Sequence, residues 1–257
     1  MSNIPRLYID MPLVVGQPIG LPEGQAHYLA RVMRLGGGDI ARVFNGKDGE
    51  WACELEIEGR KVFAKPTELL RAQPADLSRG PKLLFAPLKK TRTDFAVEKA
   101  TELGVSLIQP VGTDYTQTHR VKTERLQTLA IEAAEQTERM DLPDIGEKCT
   151  LFQALEQWPG GPLFYCDEAG DALPMIKALE TLDVPASAGG ILIGPEGGFS
   201  PEEREMLRQL DFVVPVTLGP RILRAETAIV SALTLLQAVR GDHCDPPSTG
   251  VASSGPL

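Results

Sequence analysis

The sequence predicts an α/β protein in which a parallel sheet flanked by helices follows a small β-barrel. From Lys82 onward, short apolar runs at Leu83–Ala86, Val105–Ile108, Leu163–Cys166, Ile191–Ile193 and Val213–Leu218 alternate with helical segments. That rhythm belongs to strands joined by crossover helices. The first 72 residues read differently. Phe44 leads into the turn dipeptides Asn45-Gly46 and Asp48-Gly49, and Trp51, Cys53, Leu55 and Ile57 then alternate with polar neighbours. Tight turns and period-2 alternation mark half-buried strands.

Taken in order, residues 1–72 form the barrel domain. Lys61 to Lys65 return as a strand after the Trp51–Ile57 run, and one short helix fits His27 to Leu35. That helix carries Tyr28, Leu29, Val32 and Met33 on its apolar side and stops at Gly36-Gly37-Gly38. Residues 73–81 are polar and broken by prolines, as a linker is. Residues 82–241 make the second domain. Its best-signalled helix follows Gly198, with Ser200 as N-cap, Pro201 in the first position and Glu203 closing a capping box. The last helix, Glu226 to Val239, is apolar on nearly every face and must be buried in the domain or against a second subunit. Residues 242–257 have little to bury and predict a disordered tail.

Hydrophobic residues are 42% of the 257 and charged ones 24%, as in ordinary globular proteins. No apolar run approaches the roughly 20 residues of a membrane span, so no membrane partner is expected. Met1 to Arg6 lacks the apolar core of a secretory signal. Cys53, Cys149, Cys166 and Cys244 are scattered without a CxxC pair, which argues against a disulfide framework or a zinc site and for a reducing, cytoplasmic location. The net charge of −9 is unevenly spread. Residues 1–130 carry 18 Lys+Arg against 15 Asp+Glu (+3), and residues 131–257 carry 8 against 20 (−12). Contact with a polyanion is therefore expected from the first half.

Two glycine-rich turns follow the last two strands: Gly194-Pro195-Glu196-Gly197-Gly198, and Leu218-Gly219-Pro220-Arg221-Ile222-Leu223-Arg224-Ala225-Glu226-Thr227. Ligands of open α/β sheets bind beyond the carboxyl ends of the strands, where glycines let backbone approach closely. The pair makes a cradle for a nucleoside-like cofactor. Neither turn is GxGxxG, and GxxxxGK[ST] and GxSxG are absent, so dinucleotide, nucleoside-triphosphate and serine-hydrolase chemistry lose support. His27, His119 and His243 have no spacing that suggests a triad or a metal site.

The two turns resemble those of the RsmE-type 16S rRNA (uracil-N3) methyltransferases of the SPOUT superfamily. The resemblance continues through Glu98–Val105, through Glu132–Arg139 with Pro143 beyond, and into Pro5–Tyr8 and His27–Arg34. It implies a PUA-like RNA-binding barrel followed by a trefoil-knotted, homodimeric methyltransferase domain. It also implies S-adenosyl-L-methionine between the turns, on Gly194, Pro195, Glu196, Gly198, Leu218, Gly219, Ile222, Leu223, Arg224 and Thr227. The implied partner is 16S rRNA or the assembled small ribosomal subunit.

Uracil N3 carries a proton at neutral pH, so such an enzyme must remove it or favour the anion. An arginine nearby favours the charged form, and Arg6 and Arg224 are the candidates. Glu196 or Glu226 could take the proton or orient an arginine. A carboxylate in the first turn of a helix is favoured anyway, so Glu226 is expected there for structural reasons and Glu196 is preferred. Arg6, Arg31, Arg34, Lys89, Arg92 and Lys99 are the expected RNA contacts. Methylation of a ribose 2′-hydroxyl, and a non-catalytic RNA-binding role, are the rival readings.

Overall fold

The computed structural model describes residues 4–74, 80–118, 120–167 and 172–245. The linker reading falls partly, and the tail reading mostly, outside these residues. The described chain divides into two compact units. One holds residues 4–74 together with Ala134–Leu142; the other holds the rest.

The first unit is built on a curled five-stranded sheet. Its strands are β1 (Arg6–Tyr8), β2 (Ile19–Gly20), β3 (Ile40–Phe44), β4 (Glu50–Glu58) and β5 (Lys61–Arg71), in the order β1-β3-β4-β5-β2. Asn45 shapes the β3–β4 turn, its side-chain oxygen accepting from the backbone N–H groups of Lys47 at 2.9 Å and Asp48 at 2.8 Å. Along β4, Cys53 and Leu55 are buried but Ile57, near the tip of the next hairpin, is exposed. The helix expected over 27–35 starts earlier: α1 spans Glu23–His27, entered from Pro22, and widens into a π-helical turn over Tyr28–Val32. The Met33 N–H donates to Tyr28 O at 2.9 Å, an i to i−5 bond. The wider turn buries Leu29 and leaves Tyr28 and Val32 exposed, so the expected apolar side is only partly real.

The stretch Ala134–Leu142 lies within the 82–241 read as one domain from the sequence. Hydrogen bonds place it in the first unit. The Arg6 guanidinium donates to Ala134 O at 2.6 Å and to Arg139 O at 2.7 Å, and the Tyr8 N–H donates to Glu135 at 2.9 Å. Arg6 also lies 3.8 Å from the centre of the Phe44 ring and 3.4 Å from Glu50, and its side chain is 5% exposed. The expectation that Arg6 contacts RNA or the reacting base is corrected by this geometry. The side chain is enclosed, its two Nη groups donating to carbonyls while its Nε faces the buried Glu50 carboxylate at 3.4 Å without a hydrogen bond.

Glu50, fully buried, meets Arg42 and Arg71 as well as Arg6. Glu138 adds a second carboxylate against Arg42 and Arg71. Removing one partner of a buried charge cluster leaves the others uncompensated. Glu50→Gln is expected to cost about 3–5 kcal/mol of unfolding free energy. Lys65→Ala, whose pair with Glu56 is exposed on both sides, is expected to cost no more than about 1 kcal/mol. Urea denaturation of both variants checks this. Burial pushes the Glu138 carboxyl up, but its hydrogen bond to Arg42 and the charges of Arg42, Arg6 and Arg71 outweigh burial and hold it below the ordinary carboxylate range. A depressed folded-state pKa contributes stability above the ordinary value of 4.5 and loses it as pH falls. The stability-versus-pH curve of Glu138→Gln should therefore be flatter below that pH than that of the wild type.

The second unit is an eight-stranded parallel sheet with helices on both faces. Its strands are β6 (Lys82–Phe85), β7 (Leu107–Gly112), β8 (Asp144–Ile145), β9 (Cys149–Thr150), β10 (Leu163–Cys166), β11 (Leu173–Pro174), β12 (Gly190–Ile193) and β13 (Val213–Thr217). Its helices are α2 (Lys90–Glu102), α3 (Thr123–Gln136, its last three residues counting with the first unit), α4 (Leu151–Glu156), α5 (Met175–Thr181), α6 (Pro201–Arg208) and α7 (Ala225–Arg240). Strand order is β11-β13-β10-β12-β6-β7-β8, with β9 also on β7. Alternation along the strands feeds two cores, as both faces of a parallel sheet are buried. Leu83, Phe85, Phe164, Ile191 and Ile193 pack with α2, α3, α5 and α7, and Leu84, Leu163, Tyr165 and Leu192 pack with α4 and α6.

The Val105–Ile108 run enters its strand only at Leu107, because the Val105 N–H still bonds back to Ala100 O. α6 carries the expected capping box, Ser200 with Glu203 and Pro201 in the first turn. α7 is buried chiefly within its own unit through Ala225, Ala228, Ile229, Ala232, Leu233 and Leu236, while Thr227, Thr234 and Ala238 are exposed. Among the described residues no helix is long and apolar enough to cross a membrane.

Candidate active site

Parallel pairing sets β10 between β13 and β12, so three carboxyl ends share one edge of the sheet. The ends of these strands and the turns after β12 and β13 line a cavity of about 690 Å³, within the roughly 300–1,000 Å³ typical of small-molecule sites. Gly194, Pro195, Glu196 and Gly198 line it from the first turn, and Leu218, Gly219, Ile222, Leu223 and Arg224 from the second. Thr227, expected with them, faces away as an exposed residue of α7 and is not in the lining.

Two glycines show why the turns need that residue. At Gly194 a Cβ would stand 2.6 Å from the Phe199 ring, so the ring can close the floor of the cavity only against a bare backbone. Gly219 has φ +112°, a region that disfavours L side chains, and a Cβ there would point into open space. Ile222, 83% exposed, offers an apolar side chain at the mouth.

Arg92, expected as an RNA contact, stands instead between two acidic groups. It donates to Glu196 at 3.2 Å and lies 3.5 Å from Glu226. Glu226 is held in the first turn of α7, and its other carboxylate oxygen is buried with no hydrogen-bond partner among the described residues. Arg224, the N-cap residue of α7, is exposed and lines the cavity. Lys89 precedes α2 and is exposed, whereas Lys99 pairs with Glu102 at 2.7 Å and lies against Phe95. Arg31 and Arg34 are exposed on the first unit, Arg34 at φ +58°.

Tyr165, Cys166, Asp167 and Arg204, not among the residues expected from the sequence, also line the cavity. The available signal was position: Tyr165 to Asp167 end a strand of an open α/β sheet, where ligands bind. Arg204 carried none, because a helix arginine reads as a solvated charge. Asp167 accepts from Arg208 at 2.7 Å and has Arg204 at 4.0 Å. Burial, then the charge of Asp167, pushes the Tyr165 hydroxyl above its ordinary range. Burial pushes the Cys166 thiol up to about 12, so it stays protonated and is a poor nucleophile.

Comparison with known proteins agrees with this geometry. Residues 78–237 match the family model for the RNA methyltransferase domain, and residues 21–66 match that for the RNA methyltransferase PUA domain. Ribosomal RNA small subunit methyltransferase E of Rickettsia conorii is 32% identical over 245 residues, which are 93% of this chain and 97% of that protein. Its counterpart in Synechocystis is 33% identical, over 91% of this chain and 77% of that protein. Among solved structures, ribosomal RNA small subunit methyltransferase E from Neisseria gonorrhoeae bound to S-adenosyl methionine aligns with a TM-score of 0.80 at 28% identity, covering 94% of this chain and all of that one. The putative methyltransferase Lpg2936 from Legionella pneumophila, in complex with the cofactor, aligns with a TM-score of 0.83 at 27% identity, covering 93% and 99% of the two chains. The chain belongs to the ribosomal RNA small subunit methyltransferase E family of RNA methyltransferases.

Proposed function

We propose that this chain transfers a methyl group from S-adenosylmethionine to N3 of a uridine in 16S ribosomal RNA, working as a cytoplasmic homodimer. Residues 1–72 serve as the RNA-binding barrel and 82–241 as the methyltransferase domain. The cavity suits the cofactor: its volume matches a nucleoside with a short chain, and Gly219 leaves open the space a side chain would occupy. Gly194, Pro195, Gly198, Leu218, Gly219 and Leu223 would hold the nucleoside. Bound there, S-adenosylmethionine supplies a methyl carbon on a sulfonium that leaves as a neutral thioether.

The observation that carries the chemistry is an arginine shared by two carboxylates, Glu196 in the cavity lining and Glu226 beside it in the first turn of α7. Arg92 anchors one oxygen of Glu226 and is itself steadied by Glu196. The other Glu226 oxygen is buried and able to accept one N–H. Glu226 therefore takes the N3 proton, and Glu196 acts through Arg92. This reverses the preference drawn from sequence, where a first-turn glutamate had an adequate structural explanation. Arg224 supplies positive charge for the uracil anion that remains. Arg31, Arg34 and Lys89 meet RNA phosphates.

Methyl transfer to isolated small subunits, followed by mass spectrometry of the nucleosides, is expected to give 3-methyluridine. A 2′-O-methylated nucleoside would overturn the reading.

Glu226→Gln should lower turnover by about 10²–10⁴-fold, the usual contribution of a general base. Affinity for S-adenosylhomocysteine should be unchanged, and the deficit should shrink as pH rises and uracil N3 ionises unaided. A loss that stays constant across pH would show that Glu226 is structural.

A further inference from the structure

We propose that Tyr115 is the platform on which a nucleobase beside the target uridine stacks, an inference that rests on the RNA methylation proposed above. Tyr115 lies in the loop between β7 and α3. Pairing through β6 and β12 is parallel, so that loop leaves the sheet at the same edge as the cavity. A Cβ on Gly197 would stand 3.3 Å from Tyr115 Cβ and 3.6 Å from its ring. The side chain therefore rests on the bare backbone of the first glycine turn. Glu196 and Gly198, on either side of that glycine, line the cavity, whereas Tyr115 is outside the lining and 47% exposed. It stands at the rim, where the nucleotide next to an inserted base has to pass.

The turn that carries this ring fixes it in place. The Thr113 N–H donates to Thr116 Oγ1 at 2.9 Å and the Thr116 N–H donates to Thr113 O at 3.0 Å. Asp114 ties the turn to the cap of α6: its N–H donates to Glu203 at 3.0 Å, and its carboxylate accepts from the Ser200 hydroxyl at 2.6 Å. A half-exposed ring ordered before its partner arrives removes that ordering cost from binding. The surrounding charge suits a polyanion. Arg120 and Lys122, farther along the loop, are exposed. Thr118 donates to Leu88 O at 2.8 Å and so ties the loop to the segment bearing Lys89 and Lys90, both exposed. Cations beside a flat apolar ring match a single RNA strand, whose phosphates meet the charges and whose base meets the ring.

The test measures methyl transfer by the full chain as the concentration of isolated small subunits is varied. Tyr115→Leu keeps an apolar side chain and removes the ring. It should raise KM for subunits at least about fivefold, the weak end of base–aromatic stacking. Its kcat and its affinity for S-adenosylhomocysteine should stay near those of the wild type, and Tyr115→Phe should recover most of the loss. Fluorescence of Tyr115→Trp reads the contact directly. Bound polyuridylate should quench it more than it quenches the wild type, whose tryptophans are Trp51 and Trp158. An unchanged KM in Tyr115→Leu overturns the inference. So does a loss that Tyr115→Phe leaves in place, or one accompanied by weaker S-adenosylhomocysteine binding, since the ring would then only prop the glycine turn. If Tyr115→Leu fails to fold, Tyr115→Trp decides, and quenching equal to that of the wild type overturns the inference. Wild type that methylates no small-subunit RNA overturns the proposed function as well. Wild type that methylates it, with variants that behave alike, overturns this inference alone.

Discussion

Hydrogen bonding of β10 to β13 along one edge and to β12 along the other is the constraint on which the site depends. The three strands run parallel, so their carboxyl ends open to the same side and the turns after β12 and β13 share one volume with the end of β10. Strand β10 precedes both neighbours in the chain, and long crossovers through α5, α6 and their loops are needed to bring it between them. The pairing survives because both faces are covered. Phe164 and Ile191 pack toward α5 and α7, and Tyr165 and Leu192 pack toward α4 and α6. A slip of one residue would exchange these two sets and put Tyr165 into the wrong core.

Arginine does two kinds of work in this protein, and burial separates them. In the first unit Arg6, Arg42 and Arg71 surround Glu50, which is wholly enclosed. Those charges are mostly buried and hold the Ala134–Leu142 stretch in its unit. In the second unit Arg92 and Arg204 keep about a third of their side chains exposed while contacting carboxylates at the cavity. A partly exposed arginine with an acidic anchor keeps a fixed direction and can still meet a substrate, which is the combination a reaction site needs.

The family to which the chain belongs accounts for the two glycine turns, since a nucleoside must be approached by bare backbone. It accounts less directly for the acidic groups around them. Glu196, Glu226 and Asp167 all stand near the cavity in the more acidic half of the chain, and each is matched by an arginine. Pairing of this kind moderates the repulsion that three carboxylates would exert on a polyanionic RNA.

Local signals in the sequence determined the elements. Apolar runs of four or five residues marked β6, β10, β12 and β13, the Ser200-Pro201-Glu203 cap marked α6, and the two glycine turns marked the cavity. All of these depend on neighbours in the chain, so the sequence displays them. The helix over 27–35 was misread because apolar spacing alone does not distinguish an α-helical turn from the π-helical one that exposes Tyr28 and Val32. The expectation of Arg6 at the RNA fails because its partners, Glu50, Ala134 and Arg139, are between 44 and 133 positions away. Arg92 with Glu226, and Asp167 with Arg204, are separated in the same way. Charges attract through space with no regard to sequence distance, so only the folded chain could decide which arginines are spent on structure and which stand at the site.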